Sequence, residues 1–192
     1  MYLFFDTETT GLPKNYQAPL DDFLNWPRLV QIAWSLYDAD GNHWESYSYI
    51  IKPDGFIIPP EVAKIHRITQ ERALAEGIEL RVALEHFLRD VRSASYLVAH
   101  NIDFDEKIVG AELLREKLDN PITAASKICT MKSSVNVTKI NNGRGGYKWP
   151  NLTELYSHLF QKAFPDAHDA MVDVQACAEC FFELKRKGQF NL

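Results

Sequence analysis

The sequence predicts an α/β fold, a mixed five-stranded sheet flanked by helices, on two observations. Three strand-like stretches joined by short connections fill the first part of the chain, and from residue 80 onward strand and helix patterns alternate. A meander followed by helix-linked strands is the pattern of a mixed sheet with helices on its faces. The 192 residues, 46% hydrophobic and 12% aromatic, suffice for one domain with a substantial core, and a single domain over residues 1–192 is expected.

Tyr2 to Thr9 reads as a buried strand, broken by Gly11-Leu12-Pro13, which opens a polar loop to about Asn25. Arg28 to Asp38 and Trp44 to Ile51 carry two more strand patterns, and Asp40-Gly41-Asn42 between them is a hairpin signal. Pro53, Pro59 and Pro60 end the sheet pattern, so short helices are expected from Glu61 through Ala75. Leu80, Leu84, Phe87, Leu88 and Val91 recur at helical spacing. Tyr96 to Ala99 is a short apolar strand, followed by a helix carrying Ile108, Ala111, Leu114 and Leu118, which together suggest a crossover unit. Ile128-Cys129-Thr130 reads as a last short strand, Leu152 to Phe160 as a helix, and Ala170 to Lys187 as a long closing helix.

No stretch approaches the ~20 apolar residues that span a bilayer, and the first apolar run stops at Asp6, so a cytoplasmic enzyme without membrane attachment is expected. Cys129, Cys177 and Cys180 are odd in number, and the Cys-x-x-Cys pair falls inside a helical pattern, so all three read as buried thiols. The formal charge of −5 conceals an uneven distribution. No acid occurs from Asn120 to Thr153, where Lys127, Lys132, Lys139, Arg144 and Lys148 contribute five positive charges.

Three acidic motifs carry the chemistry. Side chains two apart on a strand share a face, so Asp6 and Glu8 can present two carboxylates to one cation while Thr7 turns away. Phe4 and Phe5 bury this strand, and buried acids without a partner are costly. In His100-Asn101-Ile102-Asp103-Phe104-Asp105, Asp103 reads as a helix N-cap with Asp105 in the first turn behind it, and local chemistry does not choose a ligand between them. His168 precedes the last helix, Asp169 is its expected N-cap, and Asp173 lies one turn in, on the side of Ala170, Val174 and Cys177. A pre-helix histidine that keeps access to water retains a pKa of about 6.5.

Taken together, Asp6-Thr7-Glu8-Thr9-Thr10-Gly11-Leu12, His100-Asn101-x-x-Phe104-Asp105 and His168-x-Ala170-x-x-Asp173 resemble the three motifs of the Asp-Glu-Asp-Asp exonuclease superfamily, in the branch that adds a histidine (DEDDh). Within it the likeness is to the proofreading epsilon subunits of bacterial replicative polymerases. Arg28 to Ala33 and Ile65-His66-Arg67-Ile68-Thr69 also look like the family, although Arg67 stands where the family often has glycine. The resemblance implies a ribonuclease-H-like sheet and selects Asp105 over Asp103. It implies that Asp6, Glu8, Asp105 and Asp173 bind two Mg²⁺ or Mn²⁺ ions, and that His168 is the general base for hydrolysis of a terminal phosphodiester. It places Thr9, Leu12 and His66 near the terminal nucleotide and Asn101 beside the site. The expected partners are single-stranded or frayed 3′ ends of DNA, with RNA as the alternative substrate, and a DNA polymerase. A noncatalytic polymerase-docking subunit is the contrasting reading.

Two weaker signals remain. Asn141 to Trp149 combines basic, glycine and aromatic residues, which suits a loop gripping single-stranded backbone and stacking on a base. Gln189-Phe190-Asn191-Leu192 has a faint likeness to clamp-docking peptides, but a frayed terminus is the expectation.

Overall fold

Tyr2 to Phe5 is apolar on both faces, and a strand of that composition must be covered from both sides. The computed structural model, which describes residues 1–164 and 169–190, puts it at the centre of the sheet. Strand β1 (Tyr2–Thr9) pairs antiparallel with β2 (Leu29–Tyr37), which pairs antiparallel with the edge strand β3 (His43–Ile50). On its other side β1 pairs parallel with β4 (Tyr96–Ala99), which pairs parallel with β5 (Lys127–Cys129). The order is therefore β3-β2-β1-β4-β5, a mixed five-stranded sheet as expected.

Helices cover both faces. After α1 (Pro60–His66) and α2 (Gln70–Glu76), the amphipathic helix α3 (Leu80–Ser93) and α4 (Ile102–Arg115) bury Leu3, Phe5, Ile32 and Trp34 on one side. On the other, α8 (Ala170–Arg186) lays Val174, Cys177, Ala178 and Phe181 over Tyr2, Phe4 and Ala33. Between β5 and α8 the chain forms α5 (Thr130–Ser133), α6 (Val135–Thr138) and α7 (Leu152–Phe160). The first two are single turns too short to leave a periodic signal. Among the described residues no helix is long and apolar enough to cross a membrane.

Several local expectations are corrected. Asp103 is not the N-cap of α4: Asn101 is, in the left-handed conformation (φ 72°, ψ 46°), with no side-chain capping bond. Asparagine tolerates that region better than most residues. Asp103 instead lies exposed in the first turn, paired with Lys132 at 2.5 Å. Arg67 occupies the left-handed C-cap of α1 (φ 60°, ψ 18°), a position that favours glycine. Phe190 is not frayed, since its ring stacks on Phe181 with centroids 5.0 Å apart; residues 191–192 lie outside the described residues. All three cysteines are buried and free, as expected.

One buried carboxylate fixes the helix that carries the second acidic motif. Glu112, 1% exposed, accepts hydrogen bonds from Arg28 Nε and from the Leu29 amide, each at 2.9 Å, and Arg115 reaches it at 3.2 Å. It thereby ties α4 to the first residue of β2. Removing one partner from such a buried set leaves the others desolvated and unpaired, which costs about 3–5 kcal/mol. Glu112→Ala should accordingly lower unfolding stability by about that amount in urea titration; a change under about 1 kcal/mol would mean that water replaces the carboxylate.

Candidate active site

The sheet opens where β4 stops. The parallel pairing of β1 with β4 ends at Phe4 opposite Val98, because the chain turns at His100-Asn101 into α4. The last residues of β1 therefore run on past β4 at the carboxyl end of a parallel strand pair, a recurrent location for ligand sites in open α/β sheets.

Alternation along β1 sends Tyr2 and Phe4 toward α8, and Asp6 and Glu8 continue that face. Asp173, in the first turn of α8, meets them: one carboxylate oxygen from each of Asp6, Glu8 and Asp173 lies within 4.8 Å of the others. Thr7 turns to the opposite face, as expected, and there it has a task that the sequence did not reveal. Its hydroxyl donates to Asp105 Oδ1 at 2.7 Å. Asp105, 2% exposed, is fixed in that position in the first turn of α4. It is not part of the close triad, but its charge is felt by both Asp6 and Glu8.

Two helix starts converge on the strand end. Asp169 caps α8 by accepting from the Met171 amide at 2.9 Å and the Val172 amide at 3.4 Å, as the sequence predicts. The Ala170 amide donates to Gln31 Oε1 at 3.4 Å, and Gln31 lies opposite Glu8 in the β1–β2 register. Gln31 thus helps set where α8 begins relative to the acids. The available signal was a lone buried amide side chain inside an otherwise apolar strand.

The electrostatics are those of crowded acids. Burial, then repulsion from Asp105, Asp173 and Glu8, holds the Asp6 carboxyl well above the usual carboxylate range. Burial followed by repulsion from Asp173 and Asp105 pushes Glu8 up to about 8. Asp105 rises to about 7, mainly by burial, with the Thr7 hydrogen bond opposing the shift. Such a site binds either protons or cations. Its donors are hard carboxylate oxygens, the set that suits Mg²⁺, Mn²⁺ or Ca²⁺ rather than soft metals.

The remaining predicted residues are placed as follows. The Thr9 hydroxyl donates to the Gly11 carbonyl at 2.6 Å, closing the turn that follows β1, and Leu12 next to that turn is 73% exposed. His66 is buried at the end of α1, and the Ile68 amide donates to its Nδ1 at 3.1 Å, which leaves the proton of the neutral ring on Nε2. Asn101 supplies the left-handed turn between β4 and α4. His168 lies outside the described residues.

His100 is a further residue whose role was missed. Its Nε2–H donates to the Pro150 carbonyl at 3.0 Å, and its Nδ1 accepts from the Thr130 hydroxyl at 3.0 Å. Burial pushes its pKa down to about 4, so the ring stays neutral.

Comparison with known proteins shows which family the chain resembles. Residues 3–181 match the sequence model of a family described as Exonuclease. The DNA polymerase III subunit epsilon of Treponema pallidum (strain Nichols) is 30% identical over 177 residues, covering 92% of this chain and 73% of that protein. Ribonuclease T of Buchnera aphidicola subsp. Acyrthosiphon pisum is 27% identical over 124 residues, 60% of this chain and 53% of its own length. Among solved structures, E. coli exonuclease I in complex with a dA16 oligonucleotide superposes with a TM-score of 0.71 at 20% identity, a likeness of fold. That match covers 96% of this chain, which spans only 40% of exonuclease I.

The raised carboxyl pKa values have a stability consequence with a definite sign. Glu8 titrates near 4.5 when unfolded and near 8 when folded, so between those values the folded protein binds more protons. Without metal, the contribution of this group is therefore fully present below pH 4.5 and lost as the pH rises toward 8. In chelator-treated protein, Glu8→Gln should raise the thermal midpoint at pH 8 and have little effect near pH 4.5, and Mn²⁺ should narrow the difference at pH 8. A gain of equal size at both pH values would remove charge crowding as its source.

Proposed function

The chain belongs to the DEDD-type 3′-to-5′ exonuclease family, and from that premise we propose that it hydrolyses the terminal phosphodiester of DNA strands and releases 5′-nucleoside monophosphates. One observation carries the reading: the Asp6, Glu8 and Asp173 carboxylates, from a strand and a helix remote in sequence, meet within 4.8 Å with Asp105 buried behind them. Retaining that crowding in a purely noncatalytic docking subunit would serve no purpose, because it destabilises the fold.

Asp6, Glu8, Asp105 and Asp173 would hold two divalent cations, with Mg²⁺ or Mn²⁺ the natural choices for this donor set. Once bound, such ions offset the charge on the scissile phosphate, activate the attacking water and stabilise the departing 3′ oxygen. Thr7 keeps Asp105 oriented, and Gln31 and Asp169 fix the start of the helix that delivers Asp173. In this reading His168, next to Asp169 in sequence, takes the proton from the attacking water. Exposed Leu12 offers an apolar surface to the terminal base, while Thr9 and His66, both buried, and Asn101 stand in the turns assigned in this reading to the nucleotide site.

DNA is favoured because the epsilon-subunit likeness extends over 92% of the chain, and that same likeness suggests a DNA polymerase as partner. The ribonuclease T likeness keeps RNA as the second reading. A cytoplasmic setting accords with three free thiols.

With Mn²⁺ present, 5′-labelled single-stranded DNA should shorten from its 3′ end, and RNA more slowly. If neither strand is shortened, the docking-subunit reading replaces this one. Asp6→Ala or Asp173→Ala should abolish turnover with the fold intact by circular dichroism. His168→Ala should lower kcat by about 10²–10⁴-fold while Mn²⁺ affinity by calorimetry changes far less; wild-type rates in that variant would remove the base assignment.

A further inference from the structure

The catalytic reading accounts for one end of the sheet and leaves the basic segment before α7 without a role. Of its five cations, Lys127 pairs with Glu106, Lys132 with Asp103 and Lys148 with Glu154. Among the described residues Lys139 and Arg144 have no carboxylate partner.

The segment is not an irregular coil. The Lys148 amide donates to the Ile140 carbonyl at 2.8 Å, the Asn142 amide to the Gly146 carbonyl at 3.0 Å, and Asn141 bridges antiparallel to Tyr147. At the tip Asn142 Oδ1 accepts from the Arg144 amide at 2.8 Å and the Gly146 amide at 3.1 Å, while Gly143 and Gly145 supply positive φ (74° and 84°). The result is a small hairpin with Arg144 at its tip. On its returning arm Tyr147 and Trp149 are 47% and 62% exposed, and in an extended segment residues two apart share a face. Lys148 between them pairs with Glu154.

The base of the hairpin is anchored to the catalytic elements. Cys177 lies one turn beyond Asp173 in α8, and its sulfur is 3.6 Å from Thr130 Oγ1. The Thr130 hydroxyl donates to His100 Nδ1, and His100 Nε2–H donates to the carbonyl of Pro150, the residue after Trp149. A largely buried hydrogen-bond chain, part-buried at His100, therefore runs from the helix of Asp173, through the motif that introduces Asp105, to the foot of the hairpin.

We infer that this hairpin grips single-stranded nucleic acid upstream of the 3′ terminus, with bases stacked on Tyr147 and Trp149 and phosphates at Arg144 and Lys139. The inference rests on the exonuclease reading. Its support is charge complementarity at Lys139 and Arg144, the two cations of this acid-free segment that no carboxylate of the described residues neutralises. Aromatic platforms combined with cations are the usual means of holding a strand without reading its sequence.

The test measures affinity apart from chemistry. Fluorescence anisotropy with an oligothymidylate of about 20 nucleotides, in Ca²⁺, should show Kd raised about 5-fold or more by Trp149→Ala and recovered by Trp149→Phe. Arg144→Ala should reduce the slope of log affinity against log salt by about 0.7. Hydrolysis of the p-nitrophenyl ester of thymidine 5′-monophosphate, which has no upstream nucleotide, should be unchanged in each variant. Unchanged Kd in Trp149→Ala overturns the inference, as does an equal loss on the ester, which would mean a distorted active site. Failure of the wild-type protein to cleave the ester would instead count against the exonuclease reading, and the affinities would still decide the hairpin.

Discussion

Carboxylates brought together at the end of a buried strand repel one another, and much of this structure can be understood as the means of holding them there. Asp6 and Glu8 continue the face of β1 that carries Tyr2 and Phe4, so they cannot turn to water without tearing that strand from α8. Asp105 and Asp173 each stand in the first turn of a helix, where the free amides and the positive end of the dipole tolerate negative charge. The fold brings two helix starts and a strand end together and so reduces the repulsion without removing it. Burial first, and the remaining repulsion from Asp173 and Asp105 second, push Glu8 up to about 8, and divalent cations are the chemistry that suits such a site.

Several uncharged or buried groups, none of them a metal ligand, keep that arrangement in register. Thr7 holds Asp105 across the end of the sheet, Gln31 satisfies the first amide of α8, and Glu112 pins α4 to the start of β2. Each connects an element that carries one of the clustered acids to a neighbour that is remote in sequence. Such connections explain how side chains from residues 6 to 173 can share oxygen-to-oxygen distances under 4.8 Å.

Strands β1 to β3 and the long helices were legible because their patterns are strong and uninterrupted, β4 and β5 because they are short apolar runs between helical patterns, and the acidic motifs because they sit where those patterns end. What escaped has a physical reason in each case. The single turns α5 and α6 contain too few residues to show a period. Asp103 carries the residue type of a cap, but Asn101 adopts the left-handed turn that moves the helix start two residues earlier, leaving Asp103 to Lys132. The roles of Thr7, Gln31 and His100 depend on partners 98, 139 and 50 residues away, separations at which local sequence says nothing about contact. Choosing Asp105 over Asp103 required family likeness; in the structure the two acids differ in setting, Asp105 buried against Thr7 and Asp103 solvated beside a lysine.

His100 shows how a titratable residue close in sequence to this acidic site can remain a fixed element. A histidine that took up a proton would lose the acceptor at Nδ1 on which the Thr130 hydroxyl bond depends. Burial removes that possibility by pushing the pKa to about 4, even though the Pro150 carbonyl favours the charged form. The donor at Nε2 and the acceptor at Nδ1 are therefore both kept from mildly acidic to basic pH. The connection from α8 to the residue behind Trp149 is then a permanent structural link, and the acids can exchange protons for cations without disturbing it.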